Sequence, residues 1–241
     1  MAARRSRRSK RAARGGGRRP RPRTSWVIAA MAIGLGLGGV AIIVSVVARP
    51  GDEDSPGGVD QTPVATGHPC ASGSVPVDGA TCGHDSAPVT IVEYSEFLCP
   101  FCARAALNTV PEIEEEYVAA GKVRLEFKHF TVHGEKAELA AGAAECASQQ
   151  DAFWKYHDML FLKAGSVDFS VENLKQFAEE LELDSDSFNT CLDSGRYMDK
   201  LAADLEEGRR RGVSGTPTFF VGQTQVVGAQ PYSEFKRAIE D

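Results

Sequence analysis

The sequence predicts an α/β fold for residues 87–241, in which short strands flank a block of helices. Three observations predict it. Residues 89–95 are β-branched and aromatic, as in a buried strand. Residues 103–120 are rich in Ala, Leu and Glu, which favour helices. Two short apolar runs near the C-terminus are separated by residues 222–224, Gly-Gln-Thr, which is the pattern of a hairpin.

The predicted elements follow one another along the chain. A strand at residues 89–95 leads into a helix at 100–120, which Pro111 should kink near Val110. A second strand follows at residues 122–128, where polar and apolar residues alternate. The remaining elements are helices at 135–149, 152–162, 171–181, 185–194 and 197–211, strands at 216–221 and 225–227, and a closing helix at 232–240.

The N-terminal region indicates a membrane anchor. Residues 1–25 hold eleven Arg or Lys and no acidic residue, and residues 26–48 then carry no charge at all. A bilayer core needs about 20 apolar residues, whereas the apolar part of a cleaved signal peptide has about 7–15. We therefore predict a retained signal anchor in the cell membrane, with the basic segment cytoplasmic and the rest of the chain outside.

Residues 49–86 are rich in Gly, Pro, Ser, Asp and Thr and show no sustained periodicity. This composition predicts an extracytoplasmic tether between the anchor and the folded domain. From residue 50 onward the chain has 15 basic and 33 acidic residues, a net charge of −18. A surface this acidic repels nucleic acid and anionic lipid, so we expect neither as a partner of the exported part.

The motif Cys99-Pro100-Phe101-Cys102 lies where the first strand meets the first helix. The first sulfur would face unpaired backbone N–H groups and the positive end of the helix dipole, which stabilise a thiolate. The second would be close enough to form a disulfide. Half of a zinc site is the alternative, but the chain has no second Cys-x-x-Cys or His-x-x-His. The motif therefore indicates thiol redox chemistry without a metal or cofactor.

The run from Ile91 to Cys102, the helical block and the run from Gly215 to Phe219 together resemble the DsbA-like thiol–disulfide oxidoreductases. The resemblance covers residues 87–241. It implies a thioredoxin fold with a helical insertion at about residues 134–195, here preceded by a single transmembrane helix and a flexible tether.

The resemblance also assigns roles to individual residues. Cys99 matches the exposed nucleophile and Cys102 the shielded resolving cysteine. Thr216 and Pro217 match a loop with a cis proline that faces the active-site sulfur and binds extended substrate chains.

Three charged residues complete the predicted site. Glu93 and Lys128 match a buried acid–base pair behind the disulfide, in which Glu93 takes the proton from Cys102. The alternative is that both point to a solvated strand edge. Glu96 lies close to the motif and is expected to tune the site by raising the pKa of Cys99 through like-charge repulsion.

Four further cysteines remain. Relatives in the resembled family suggest a second disulfide between Cys146 and Cys191 in the insertion, which leaves Cys70 and Cys82 to pair within the tether. An oxidising compartment permits both bonds. Four cysteines allow three pairings, and buried free thiols or a zinc site at the tether cysteines are the alternatives.

These features predict an oxidase that introduces disulfides into exported cysteine-containing proteins. A substrate thiolate would attack Cys99, form a mixed disulfide and leave the protein reduced. A membrane redox partner, DsbB-like or vitamin K epoxide reductase-like, would then reoxidise it. The alternatives are a reductase or isomerase of the same fold, since direction depends on potential and partner, and a non-catalytic binder of unfolded exported chains.

Overall fold

The computed structural model describes residues 67–241. The predicted basic segment (1–25), the predicted anchor (26–48) and the first part of the predicted tether lie outside these residues. Within the described part, no helix is both long enough and apolar enough to cross a membrane.

The strands are β1 (Val77–Asp78), β2 (Thr81–Cys82), β3 (Val89–Ser95), β4 (Val123–His129), β5 (Thr218–Val221) and β6 (Thr224–Val227). The helices are α1 (Pro69–Ser72), α2 (Pro100–Arg104), α3 (Val110–Ile113), α4 (Glu135–Ser148), α5 (Phe153–Lys163), α6 (Val171–Glu180), α7 (Ser185–Ser194), α8 (Met198–Arg210) and α9 (Tyr232–Glu240). From β3 onward this is the order that the sequence predicts.

The strands form one mixed sheet in the order β1-β2-β4-β3-β5-β6. Strands β3 and β4 are parallel, and the other neighbouring pairs are antiparallel. Strand β3 is therefore central, and it carries the chain directly to Cys99 and α2. The core packs fully buried aromatic rings against the sheet, such as Phe97 stacked on Phe127 with ring centroids 5.5 Å apart. This packing fixes the end of β3, where the cysteines lie.

The predicted kink at Pro111 is replaced by a local widening of the helix. Helices α2 and α3 are joined by a π-helical segment, Ala105–Thr109, and a second one, Glu114–Val118, follows α3. The N–H of Val110 bonds to the carbonyl of Ala105, five residues back. Such widened turns shift the hydrogen-bond pattern, so a proline that lacks an N–H can follow without ending the helix.

The prediction of a flexible tether over residues 49–86 is wrong for its last part, residues 67–86. Residues 67–86 belong to the domain, because α1 and the β1–β2 hairpin pack against it and β2 pairs with the outer side of β4. Thr81 lies opposite Glu126, and Cys82 is completely buried. Strands of two residues show no periodicity, so these long-range contacts, rather than a local pattern, order the segment.

Both predicted pairings of the outer cysteines are formed. Cys70 is bonded to Cys82, which excludes these thiols as zinc ligands in this state, and Cys146 is bonded to Cys191. The first disulfide joins α1 to β2, and the second joins α4 to α7 within the helical insertion. Cys99 and Cys102 are free thiols, so the structure shows the reduced state of that pair.

Candidate active site

The two thiols lie at the start of α2. Cys99 is the N-cap residue in extended conformation, and the backbone N–H of Cys102 donates to its sulfur at 3.4 Å. Cys99 is 4% exposed and Cys102 is fully buried, whereas Phe101 between them is 54% exposed. The local sequence explains this placement, because Pro100 occupies the first helical position, where a missing N–H leaves no bond unmade. Only Cys99 is therefore accessible to a substrate sulfur.

The two thiols have opposite acidities. Hydrogen bonding from the Cys102 side chain, with further help from the Thr216 side chain and the backbone N–H groups at the helix start, lowers the pKa of Cys99 to about 5. Burial raises the pKa of Cys102 far above its ordinary value. At neutral pH Cys99 is therefore a thiolate and Cys102 a thiol. Cys99 can therefore act as the attacking or the leaving sulfur, while Cys102 keeps its proton.

A loop before β5 faces Cys99. The Thr216–Pro217 peptide bond is cis, as the resemblance implies. The Cys99 sulfur lies 3.4 Å from the carbonyl oxygen of Thr216, a contact across more than a hundred residues of chain. The Thr218 hydroxyl donates to the Gly215 carbonyl at 2.7 Å and so holds the loop.

We expect the substitution Thr216→Val to raise the pKa of Cys99 by about one pH unit, because it removes a hydroxyl that stabilises the thiolate while keeping the shape of the side chain. Thiolate absorbance of the reduced protein against pH measures this pKa. Thr224→Val, on exposed β6, is the matched control and should leave the pKa of Cys99 unchanged. An unchanged value in Thr216→Val would show that the hydroxyl does not stabilise the thiolate.

The prediction that Glu93 and Lys128 form a buried acid–base pair is wrong. In the β3–β4 register Glu93 lies opposite Phe127, and Lys128 lies opposite Tyr94, so the two charged residues point to opposite faces of the sheet. Lys128 instead forms ion pairs on the other face, with Glu126, Asp204 and Glu207. Glu93 is buried on the face opposite to Lys128, so this lysine does not pair with it. Burial raises the pKa of Glu93 to about 7.

The effect of Glu96 on Cys99 stays a prediction, because the groups that most affect the pKa of Cys99 are Cys102, Thr216 and the backbone N–H groups at the helix start. Glu96 is fully buried, and its carboxylate accepts hydrogen bonds from the backbone N–H groups of Val132 and His133 at 3.0 and 3.3 Å. It also contacts the imidazole Nδ1 of His133. Glu96 therefore anchors the loop after β4 beside the active site.

A further buried carboxyl, Glu114, lies in the π-helical segment after α3. It is 4% exposed, and its carboxyl oxygen Oε2 accepts a hydrogen bond from the backbone N–H of Cys70 at 3.0 Å. Burial raises its pKa to about 8. The sequence does not single out this residue, because a glutamate in the Glu-rich run 114–116 reads as a solvated helix face.

We expect the free energy of unfolding to fall as pH rises from about 4.5 to about 8, because Glu114 keeps its proton in the folded state while the unfolded chain loses it. The contribution is complete below the unfolded pKa and is lost as pH rises through the folded pKa. Glu114→Gln should remove about 4 kcal/mol of this loss. Urea unfolding at several pH values measures it, and equal slopes in both proteins would contradict the buried, protonated carboxyl.

Two polar side chains near Glu93 complete the site. Ser95 is fully buried, and by strand alternation it points to the same face as Glu93. His157 is 2% exposed and packs among aromatic rings, including Phe97 and Phe161. The sequence gives Ser95 no prominence, although its position two residues after Glu93 was a usable signal.

Comparisons with known proteins agree with this geometry. Residues 76–241 match the family model described as Thioredoxin. The probable disulfide bond formation protein D of Bacillus anthracis is 30% identical over 165 residues, which cover 66% of this chain and 75% of that protein. The oxidised structure of BdbD from Bacillus subtilis superposes with a TM-score of 0.63 and 26% identity, covering 69% of this chain and 94% of that one.

A different relative contains a similar region within a longer protein. The Na(+)/H(+) antiporter NhaA 3 of Salinispora tropica is 40% identical over 142 residues, which cover 58% of this chain but only 21% of the antiporter. This chain thus spans about a fifth of the length of the antiporters that it matches. The predicted thioredoxin fold with DsbA-like relatives is confirmed. The chain belongs to the thioredoxin family.

Proposed function

We propose that this chain is a thiol–disulfide oxidoreductase that introduces disulfides into exported proteins through Cys99 and Cys102. One observation carries the proposal: the Cys99 sulfur caps the start of α2 and accepts the Cys102 N–H, which lowers its pKa, while the Cys102 sulfur is buried, which raises its pKa. A thiolate stabilised in the reduced protein makes the corresponding disulfide more oxidising. Disulfide formation in the names of the Bacillus relatives supports the same direction.

In this reaction a substrate thiolate attacks the Cys99 sulfur of the Cys99–Cys102 disulfide. The disulfide breaks, its electron pair goes to Cys102, and a mixed disulfide forms between Cys99 and the substrate. A second substrate thiolate then attacks the substrate sulfur and releases Cys99 as a thiolate. Two electrons have passed from the substrate to the protein, so a membrane redox partner must reoxidise the pair.

An extracytoplasmic location is part of the proposal. The disulfides Cys70–Cys82 and Cys146–Cys191 support this location, because structural disulfides persist in oxidising compartments outside the cytoplasm. The uncharged run at residues 26–48 supplies the proposed anchor.

The decisive experiment measures the redox potential of the Cys99–Cys102 pair against glutathione buffers, together with reoxidation of a reduced multi-cysteine protein. An oxidase requires a potential well above the about −270 mV of thioredoxin and requires net disulfide formation. A potential near that of thioredoxin would instead support the reductase alternative. Binding of unfolded chains without any turnover would support a non-catalytic binder.

A further inference from the structure

We propose that Arg104 makes this protein selective for substrate segments that carry an aspartate or glutamate about two to four residues from the reacting cysteine. The inference rests on the proposed function and names the substrate chemistry of the same site. Arg104 lies outside the Cys-x-x-Cys motif, at the last position of α2, and its side chain is exposed. It is a specificity-determining residue that binds a substrate carboxylate and takes no part in the sulfur chemistry.

The guanidinium of Arg104 is held in place although the side chain is exposed. Its Nη2 atom donates to the backbone carbonyl of Ala229 at 3.2 Å, and its central carbon lies 5.2 Å from the ring centroid of Phe101. A guanidinium has five N–H donors in a planar fork that matches a carboxylate, so most of these donors remain for a ligand. A group that is fixed before binding loses less conformational entropy when it binds.

Arg104 has no carboxylate partner among the described residues, whose ion pairs all involve other basic side chains. It lines a cleft between the helix that begins at Cys99 and the turn before α9. The other residues that line this cleft are uncharged, and they are Asn108, Thr109, Ala229, Gln230 and Pro231. A carboxylate that enters the cleft therefore meets one cation and no competing anion.

A short series of contacts links this cleft to the reactive sulfur. The Cys99 sulfur lies 3.4 Å from the Thr216 carbonyl oxygen, and the next carbonyl along the chain accepts the N–H of Gly228 at 2.8 Å. Ala229, which follows Gly228, accepts the hydrogen bond from Arg104. A substrate segment that pairs with the cis-proline loop therefore lies beside the turn that holds the guanidinium.

The expected spacing follows from helix and strand geometry. Arg104 lies five residues after Cys99, and a helix rises about 1.5 Å per residue, so the separation along α2 is about 7.5 Å. An extended chain advances about 3.3 Å per residue, so this separation corresponds to about two residues of substrate. The lengths of the two side chains extend the range to about four residues.

The charge of the rest of the domain makes such a contact selective. Residues 67–241 contain 15 basic and 29 acidic residues, so most of the surface repels an acidic substrate. The attraction at Arg104 is short-ranged, because physiological salt screens exposed charges that are more than about 8 Å apart. An acidic substrate therefore gains binding energy only where its carboxylate reaches the cleft.

The test uses the full-length oxidised protein and synthetic peptides that contain two cysteines. Each peptide carries either Glu or Gln three residues before or three residues after the cysteine pair, in an otherwise identical neutral sequence. Oxidation of the peptide passes two electrons to the Cys99–Cys102 disulfide, and acid quench with mass spectrometry counts the peptide disulfide that is formed. The readout is the ratio of the second-order rate constants for the Glu and Gln peptides.

With the natural protein at low salt we expect Glu to react about fivefold faster than Gln in one of the two placements. Arg104→Met keeps the length of the side chain and removes its charge, so it should lower this ratio about fivefold while the rate with Gln stays within about twofold. Arg104→Lys keeps the charge without the planar fork and should retain part of the ratio. Comparing variants cancels any effect of Glu on the peptide thiols themselves.

The matched control is Arg209→Met, because Arg209 is also exposed and lies at the end of α8, away from the cleft. It changes the net charge equally and should leave the ratio unchanged. The selectivity would be overturned if Arg104→Met and Arg209→Met lowered the ratio equally, since net charge alone would then explain it.

It would also be overturned if Arg104→Met slowed the Glu and Gln peptides alike, because Arg104 would then serve only to tie α2 to the turn at residues 228–231. Equal rates for both peptides with the natural protein would remove the selectivity and leave the proposed function standing. If the natural protein oxidises neither peptide, the proposed function itself fails, and this inference fails with it.

Discussion

Replacing Cys102 with Ala will abolish disulfide donation and leave Cys99 in mixed disulfides, which its thiolate forms by attacking disulfides of its substrates, with one substrate sulfur leaving as a thiolate. The Cys99 thiolate is stabilised partly by the Cys102 side chain and partly by the helix start and Thr216, so much of its reactivity should remain. Without the second sulfur, however, Cys102 cannot attack Cys99 to release the bound substrate, so release depends on a second thiol of the substrate alone. We expect turnover to fall by on the order of a thousandfold or more, since a reacting atom is lost.

The measurement is the recovery of covalently bound proteins after acid trapping in cells that express Cys102→Ala. Exported proteins with several cysteines, and a membrane redox partner, should be recovered. The control variant carries Cys99→Ser in addition and should trap nothing, because the attacking sulfur is absent. Recovery of only cytoplasmic proteins would argue against the proposed location, and equal recovery with the control would argue against Cys99 as the nucleophile.

The second large effect concerns the bond between α4 and α7. Cys146 and Cys191 are 45 residues apart in sequence, so their disulfide restricts a long loop in the unfolded chain. Replacing both with Ala should lower the free energy of unfolding by about 4 kcal/mol. The corresponding change at Cys70 and Cys82, which are 12 residues apart, should cost about 3 kcal/mol.

Urea unfolding of the natural protein and of the two double variants measures these differences. Both variants should keep the low pKa of Cys99, because neither outer disulfide contacts it. Graded reduction gives an independent check, since the Cys99–Cys102 disulfide, whose opening yields the stabilised Cys99 thiolate, should open before the Cys146–Cys191 bond. Stability that is unchanged by the loss of Cys146–Cys191 would show that packing alone holds α4 against α7.

Local sequence signals predict most of the fold. The bounds of β3, α7 and α9 agree with the sequence analysis, because strong signals mark their ends. Asp184, for example, caps α7 by accepting the N–H of Ser187 at 2.8 Å. The β1–β2 hairpin was missed, since two-residue strands form only when β4 and the Cys70–Cys82 bond hold them in place.

The sequence predicts the two catalytic cysteines, because their spacing is a local motif. It does not predict the roles of residues whose partners are distant in sequence. The Cys-x-x-Cys spacing and the strand before it identify both sulfurs. The partner of Lys128 depends on which face of the sheet it occupies, and the β3–β4 register decides that face. The role of Glu96 depends on the loop that it anchors, at residues 132–133, which are 36 and 37 positions away in sequence.

The β1–β2 hairpin has a consequence for how this protein avoids aggregation. Strand β4 has seven residues, and without β2 its backbone would be open to pairing with another extended chain. Exposed edges of this length recruit foreign strands. The proposed function would bring such strands to this protein constantly. The two-residue strands and their disulfide shield part of β4, and a shortened form beginning at residue 87 would lose this protection.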